Sequence, residues 1–531
     1  MNSLLAFPLT KNYAAFMRGE FTRVYSAALQ GVEALEVEIE VNESGGEMGV
    51  VIVGLPDAAV RESRDRVQTA INNSGFKGLQ GRCTINLAPA NVRKEGPSFD
   101  LPIAIGMVGN RTEGLDRRRF EEFCIVGELA LNGGLRPVKG ILSIAQEARA
   151  RGRRGLIVPK ENALEASVVA GIEVYGVASL REAFELAAGY ISIFPQPHRS
   201  MADFAAQHVY DIDFHDVKGQ SMVKRAAEVA VAGGHNMLFV GPPGTGKSMI
   251  AKRIATIMPT MTETEAVEVT KIHSICGLLT SREAFLTMRP YRAPHHTISD
   301  AGLLGGGSNP NPGEVSLAHY GLLFLDELPE FRRSTLEVLR QPLEDGKVTI
   351  SRATGTMTFP ANFMLVAAMN PCPCGYYGDL KRECRCGPIT IQRYRQRISG
   401  PLLDRIDLHV EVPLVEFRDL AKADGGESSA TIRQRVEAAR KLQVERFKGH
   451  KNITSNSAMT PRLMKQHCQI DAASHDTLER AMNELNFSAR AHDRILKVAR
   501  TLADLEAKEH LEEIHLLEAI NYRTLDRSLL G

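Results

Sequence analysis

The 531-residue chain has almost no net charge. Its 64 Lys and Arg stand against 63 Asp and Glu, a formal balance of +1. That excludes a globally basic nucleic-acid coat, so positive surface for DNA or RNA must be local. No apolar run approaches the ~18 residues that a membrane span needs. Nothing is collagen-like or low-complexity. The opening stretch MNSLLAFPLTKNYAAFMRGE is too polar, and too short in its apolar part, for a secretory signal. These absences predict a cytoplasmic protein with no membrane partner. Cysteine is scarce, eight in all, and disulfides are disfavoured in that compartment. The length implies roughly two to four domains.

The pattern along the chain divides it. Residues 1–20 read as an extension without assigned function. Residues 21–190 read as an α/β domain. There ALEVEIEV alternates apolar and acidic residues, as a half-buried strand does. AAVRESRDRVQTAINNSG has helical spacing and stops at Asn-Ser-Gly. GLIVPK and EVYGVAS read as strands, with helical NALEASVVAG between them. Two prolines and a polar tail mark 191–210 as a linker. Residues 211–412 carry the densest motifs, and 413–531 read as a helical bundle.

NMLFVGPPGTGKSMIAKRIA is a short apolar strand, a glycine-rich turn and a helix. The turn Gly241, Pro242, Pro243, Gly244, Thr245, Gly246, Lys247, Ser248 has P-loop spacing. Its glycines let backbone N–H groups wrap a phosphate without Cβ clashes. The helix start adds a positive end. Lys247 is placed to reach the outer phosphates and Ser248 to ligate Mg²⁺. About 80 residues on, YGLLFLDELPE supplies four apolar residues and then Asp326 and Glu327. A buried parallel strand reads that way. Its two carboxylates suit the Mg²⁺ shell (Asp326) and the attacking water (Glu327). ATP hydrolysis follows from the pair of motifs.

Further segments resemble AAA+ ATPases. DFHDVKGQ resembles the stretch that cups adenine, which implies that role for Val217, Lys218, Gly219 and Gln220. FMLVAAMN ends on Asn370, which matches sensor 1. SGPLLDRIDLHVEVP resembles the arginine-finger segment of the MCM and magnesium-chelatase branch, with Arg405 as its arginine. NFSARAHDRIL resembles sensor 2, with Arg490 as the better match and Arg494 as the alternative. A finger acts on a neighbouring subunit's nucleotide and so implies a ring. HHTISDAGLLGGGSNPNPGEVSLAHYG resembles that branch's helix-2 insert. GKVTISRATGTMTFP reads as a β-hairpin, apolar at Val348, Ile350, Met357 and Phe359 around a polar ATGT turn. The branch points both elements into a pore, which would turn Lys347 and Arg352 toward phosphates; an ordinary exposed hairpin is the alternative.

KEGPSFDLPIAIGM and VGELALNGGLRPVKGI resemble the Lon protease domain, with Ser98 on the nucleophile position. Leu142 stands where the partner lysine belongs, and Lys139 is out of register. A serine without its base is a poor nucleophile, so a non-proteolytic scaffold for ring assembly or DNA contact is expected. Arg93 and Lys94 are candidate phosphate contacts, or part of a solvated charged loop.

Together, residues 21–531 resemble the ComM/YifB family of magnesium-chelatase-like proteins. The resemblance implies a Lon-like N-terminal domain, an AAA+ core with a parallel sheet and a C-terminal helical lid. It also implies a homo-hexameric, ATP- and Mg²⁺-dependent DNA helicase. Such a helicase would promote branch migration on single-stranded and branched DNA during natural transformation, with recombination proteins as partners. A chelatase-type motor subunit acting on a protein is the alternative.

Half of the cysteines fall in NPCPCGYYGDLKRECRC, within 370–387. Cys372, Cys374, Cys384 and Cys386 form two C-x-C pairs, a set for tetrahedral zinc; metal-free thiols or a redox pair are the alternatives. Lys381 and Arg382, with Arg385, Arg393, Arg395 and Arg397, add a local basic run that suits DNA phosphates or an acidic neighbour. Cys83, Cys124, Cys276 and Cys468 are scattered and read as core residues.

Overall fold

A computed structural model describes residues 21–205, 210–280, 283–307, 310–352, 355–379, 382–415, 426–450, 453–485 and 487–525. The 1–20 extension and Lys381 lie outside them. The chain forms two compact units. The first comprises residues up to Phe204 together with Thr270–Phe285, the second Ala205–Val269 and Leu286 onward. No helix among the described residues is long and apolar enough to cross a membrane.

The first unit is built on a seven-stranded mixed sheet. In spatial order its strands are Gly49–Val53, Arg82–Ala88, Glu33–Ser44, Thr22–Gln30, Phe123–Ile125, Gly155–Pro159 and Glu173–Val177. The alternation in Glu33–Ser44 puts Ala34, Val37, Ile39 and Val41 into the core and its glutamates outward. Helix Ala58–Asn73 starts where the Asp57 carboxylate accepts from the Val60 N–H at 2.8 Å. It ends at Ser74 and Gly75, as its Asn-Ser-Gly stop implies. NALEASVVAG carries only one α-turn, Ala163–Ala166, preceded by the 3₁₀ turn Lys160–Asn162. The expected longer helix is absent because the stretch must close quickly onto the next strand.

The 191–210 stretch is not a free linker over its described part. Gln196 N–H donates to Val174 O, and His198 Nδ1 lies 2.8 Å from Ser167 O. Residues 270–285, expected in the ATPase core, belong instead to the first unit. Ser274 Oγ there donates to the buried Glu165 carboxyl, which also accepts from the Leu142 N–H at 3.1 Å. Lys94 is a second correction. Its side chain is fully buried and donates to Pro89 O, so it offers nothing to a phosphate; Arg93 is exposed and pairs with Glu95 at 3.3 Å. Leu142 is fully buried, so no lysine reaches Ser98 from that position. Cys83, Cys124 and Cys468 are core residues, and Cys276 is half-buried.

The second unit centres on a five-stranded sheet, ordered Tyr291–Arg292, Leu322–Leu325, Met364–Met369, Met237–Val240 and Leu408–Glu411. Every pairing in it is parallel. The apolar runs are buried throughout, as a doubly covered parallel sheet requires. C-terminal helices follow, Ser429–Arg446, Pro461–His467, Ala472–Leu485, Ala489–Leu505 and Glu513–Asn521. Ile495, Val498, Ala499 and Leu502 form one helix face that shares a single core with Phe239, Ile250 and Val366 of the sheet layer.

Candidate nucleotide and metal sites

Parallel pairing aligns the strand ends. Val240 is level with Met369 and Glu411, and Leu325 with Ala367. Gly241, Asn370 and Asp326 therefore leave the sheet along one carboxyl edge, where open α/β sheets bind ligands. Gly241 packs so closely that an added Cβ would lie 2.3 Å from Val412 O. Gly244 and Gly246 have φ of 82° and 85°, a left-handed backbone open to glycine at low cost. Helix Lys247–Ile257 begins directly after them.

Lys247 is the hub of this edge. Its ammonium donates to Gly241 O at 2.7 Å, Pro242 O at 2.8 Å and Asn370 Oδ1 at 3.2 Å. Three donors meet three acceptors, so sensor and P-loop are joined through one side chain. Burial pulls the Lys247 pKa below its usual value, with Asp326 opposing the shift. Ser248 Oγ lies 2.5 Å from Asp326 Oδ2. Two hard oxygen donors this close suit an octahedral divalent cation such as Mg²⁺. Glu327 follows with φ 53°, a left-handed conformation rare for a residue with a Cβ. Its N–H caps Asp326 Oδ1 at 2.9 Å, and its own carboxylate is 55% exposed. Gln220 ties the 217–220 segment to the P-loop, donating to Thr245 O at 3.0 Å and Pro413 O at 2.8 Å. The Val217 side chain is fully buried, and Lys218 and Gly219 are half-buried beside it.

The arginines are placed differently from one another. Arg405 is buried in its own chain, its side chain 7% exposed; it donates to Pro401 O and pairs with Glu344. Arg490 is exposed and reaches Asp404 at 3.4 Å. Arg494, the alternative sensor, is committed to Asp407 at 2.9 Å. Asp407 also receives His235 Nδ1 at 2.7 Å, while His235 Nε2 meets Thr501 Oγ1 at 2.9 Å. Burial pushes the Asp407 carboxyl up, but Arg494, His235 and Lys497 outweigh it and hold the group below the usual range.

The hairpin forms as read, Lys347–Arg352 against Gly355–Pro360, with Lys347 opposite Pro360 and Arg352 opposite Gly355. Val348, Ile350 and Phe359 are buried, while Lys347 and Arg352 are exposed, the latter at the tip. The insert folds as helix Asp300–Leu304 and a two-residue ladder, Gly305–Gly306 with Asn311–Pro312.

The four cysteines converge. Cys372 Sγ lies 3.3 Å from Cys374 Sγ and 3.7 Å from Cys384 Sγ, and Cys374 lies 3.6 Å from Cys384. With Cys386, all four sulfurs fall within 4.8 Å of one another. Sulfurs on a zinc tetrahedron with bonds of about 2.3 Å sit about 3.8 Å apart. The set fits zinc, and the separations are too long for a disulfide. Gly375, in this insertion, approaches the P-loop so closely that a Cβ would lie 2.6 Å from Pro243 Cδ. Arg382 stacks over Tyr376 at 5.1 Å and hydrogen-bonds its hydroxyl at 2.7 Å. Arg395 lies over Tyr377, and Arg397 pairs with Glu330 at 2.9 Å.

Two residues at this site have no counterpart in the motif reading. His296 Nδ1 lies 3.3 Å from Glu327 Oε2, and Glu344 holds Arg405. The His295–His296 doublet was the one available signal for the first; an acid at 344 carries none.

Three family models tile the chain. Subunit ChlI of Mg-chelatase matches residues 39–162; magnesium chelatase, subunit ChlI, matches 213–420; and the ChlI C-terminal model matches 426–523. The competence protein ComM of Haemophilus influenzae is 44% identical over 512 residues, 95% of this chain and 98% of the relative. The uncharacterized protein YifB of Escherichia coli is 42% identical over 508 residues, 96% and 98% of the two chains. A Lon protease of Roseiflexus castenholzii is 29% identical over 120 residues, 22% of this chain and 14% of the relative.

Proposed function

The chain belongs to the ComM/YifB family of magnesium-chelatase-like AAA+ ATPases, and we propose that it works as a ring-forming DNA translocase that drives branch migration. The observation that carries this reading is near full-length similarity to a protein named for competence. The assembled P-loop, Asp326, Glu327 and Asn370 supply the motor. Lys247 and the P-loop backbone hold the ATP phosphates, Ser248 and Asp326 the Mg²⁺, and Glu327 orients water. Val217 to Gln220 border the base, and Arg490 reads the nucleotide from the lid. Arg405 leaves Glu344 to act on a neighbour's nucleotide in a hexamer. Lys347 and Arg352 contact DNA phosphates, with Arg382 and Lys381 as secondary contacts. The protein acts in the cytoplasm during natural transformation, alongside recombination proteins.

The cysteine insertion holds one structural zinc through Cys372, Cys374, Cys384 and Cys386. Zinc braces a loop too small for its own core, against the P-loop it touches through Gly375.

The names of the matching family models favour a second reading, a chelatase-type motor subunit without nucleic acid. ATPase rate with no DNA, single strands, duplex and forks separates the two. Stimulation by DNA supports the translocase. Robust turnover indifferent to every DNA rejects it in favour of the chelatase-type motor.

A further inference from the structure

We propose that His296 is a positioning residue that restrains Glu327 and releases it when the hairpin and insert engage a DNA strand. The release half rests on the translocase reading; the restraint half does not.

Glu327 is strained at φ 53° and its carboxylate is largely exposed, so its orientation needs an external partner. The partner is His296 Nδ1, 3.3 Å from Glu327 Oε2. The imidazole itself has a defined seat. It lies against His295 with centroids 4.1 Å apart and edge-on to buried Phe331 at 6.4 Å. The His–Glu contact is solvent-accessible, with His296 30% exposed, and an exposed pair of this kind is weak enough to open and close.

His296 lies between strand Tyr291–Arg292 and the insert helix Asp300–Leu304. The strand is pinned by a two-pronged ion pair, Arg292 to Glu314 at 2.6 and 2.7 Å. The helix is fastened by Thr335 Oγ1 on Asp300 at 2.5 Å. Beyond it the insert ladder lies against the hairpin. A Cβ added at Gly305 would sit 3.1 Å from Ile350 Cδ1, and one at Gly306 3.6 Å from Arg352 Nη2. One packed path thus runs from the exposed hairpin tip through the insert to the histidine that holds Glu327. A strand pulling on Arg352 displaces the insert, and His296 is its connection to the catalytic edge. A contiguous route with a breakable contact at its end is what a coupling device requires.

The test uses the full chain carrying His296→Phe, which keeps a ring against Phe331 but removes the donor, and His296→Asn, which keeps a donor. ATP turnover is measured with and without forked DNA, alongside ATP affinity. The expected result for His296→Phe is a basal rate raised about two- to five-fold, the worth of an exposed ion pair. The DNA-saturated rate stays unchanged, so the stimulation ratio falls by the same factor. His296→Asn recovers the wild-type ratio at least in part, and ATP affinity stays constant in both. A basal rate in His296→Phe that is unchanged or lower overturns the restraint. A raised basal rate with an unaltered stimulation ratio overturns the coupling. If no DNA stimulates the wild type, the translocase reading and the coupling fall together, while the basal comparison still decides the restraint.

Discussion

Lys247 and Glu327 do opposite work within a few ångströms of the same sheet edge. Lys247 is a buried charge with three acceptors, so its removal breaks both the phosphate cradle and the link to Asn370. Glu327 bonds little and is exposed, so its amide analogue leaves the cradle intact. Glu327→Gln should bind ATP normally and lower turnover by about 10²-fold or more. Stopped-flow binding with single-turnover hydrolysis checks this, and normal turnover would remove Glu327 from its role. A second residue-scale effect lies in the first unit. Burial pushes the Glu165 carboxyl up to about 7 from 4.5, against hydrogen bonds from Ser274 and Leu142. Between those pH values the folded chain keeps a proton that the unfolded chain has released. Stability therefore falls as pH rises through this window and is level above it, by about 3 kcal/mol at most. Glu165→Gln should melt several degrees higher than wild type at pH 8 and close to it at pH 4.5. Equal gains at both pH values would contradict the assignment.

At the scale of elements, contiguous motifs were readable and long-range partnerships were not. The P-loop and the LLFLDE strand were legible because their chemistry needs neighbouring residues, and local pattern also showed the hairpin and the cysteine pairs. The burial of Arg405 under Glu344 was illegible, since 61 positions separate the pair. So was the exchange of 270–285 into the first unit, because helical spacing says nothing about which core receives the helix. Lys94 looked like a solvated loop charge because sequence does not reveal that its loop folds back over it. The cysteine insertion carries its own prediction. Purified protein should contain one zinc per chain by elemental analysis. Cys384→Ser should lose the metal and, through Gly375 and Pro243, weaken ATP binding. Protein with no zinc, and ATP affinity unaffected by Cys384→Ser, would make the cluster a set of packed thiols.

At the scale of the whole molecule, the assignment of Arg405 is a statement about assembly. Within one chain its guanidinium is occupied by Pro401 and Glu344. A role on a neighbour's nucleotide requires it to exchange Glu344 for phosphate at a subunit boundary. Arg405→Ala and Lys247→Ala should each abolish turnover alone. Mixed, they should regain part of it, because an intact P-loop then meets an intact finger. A silent mixture that still forms rings would confine Arg405 to a structural ion pair. The central claim is that hydrolysis moves DNA strands. Its most direct measurement is branch migration on a labelled three-strand junction, with wild type and Glu327→Gln compared in ATP. The expected result is ATP-dependent release of the displaced strand by wild type and none by Glu327→Gln. Wild-type protein that hydrolyses ATP yet leaves every junction in place would contradict it.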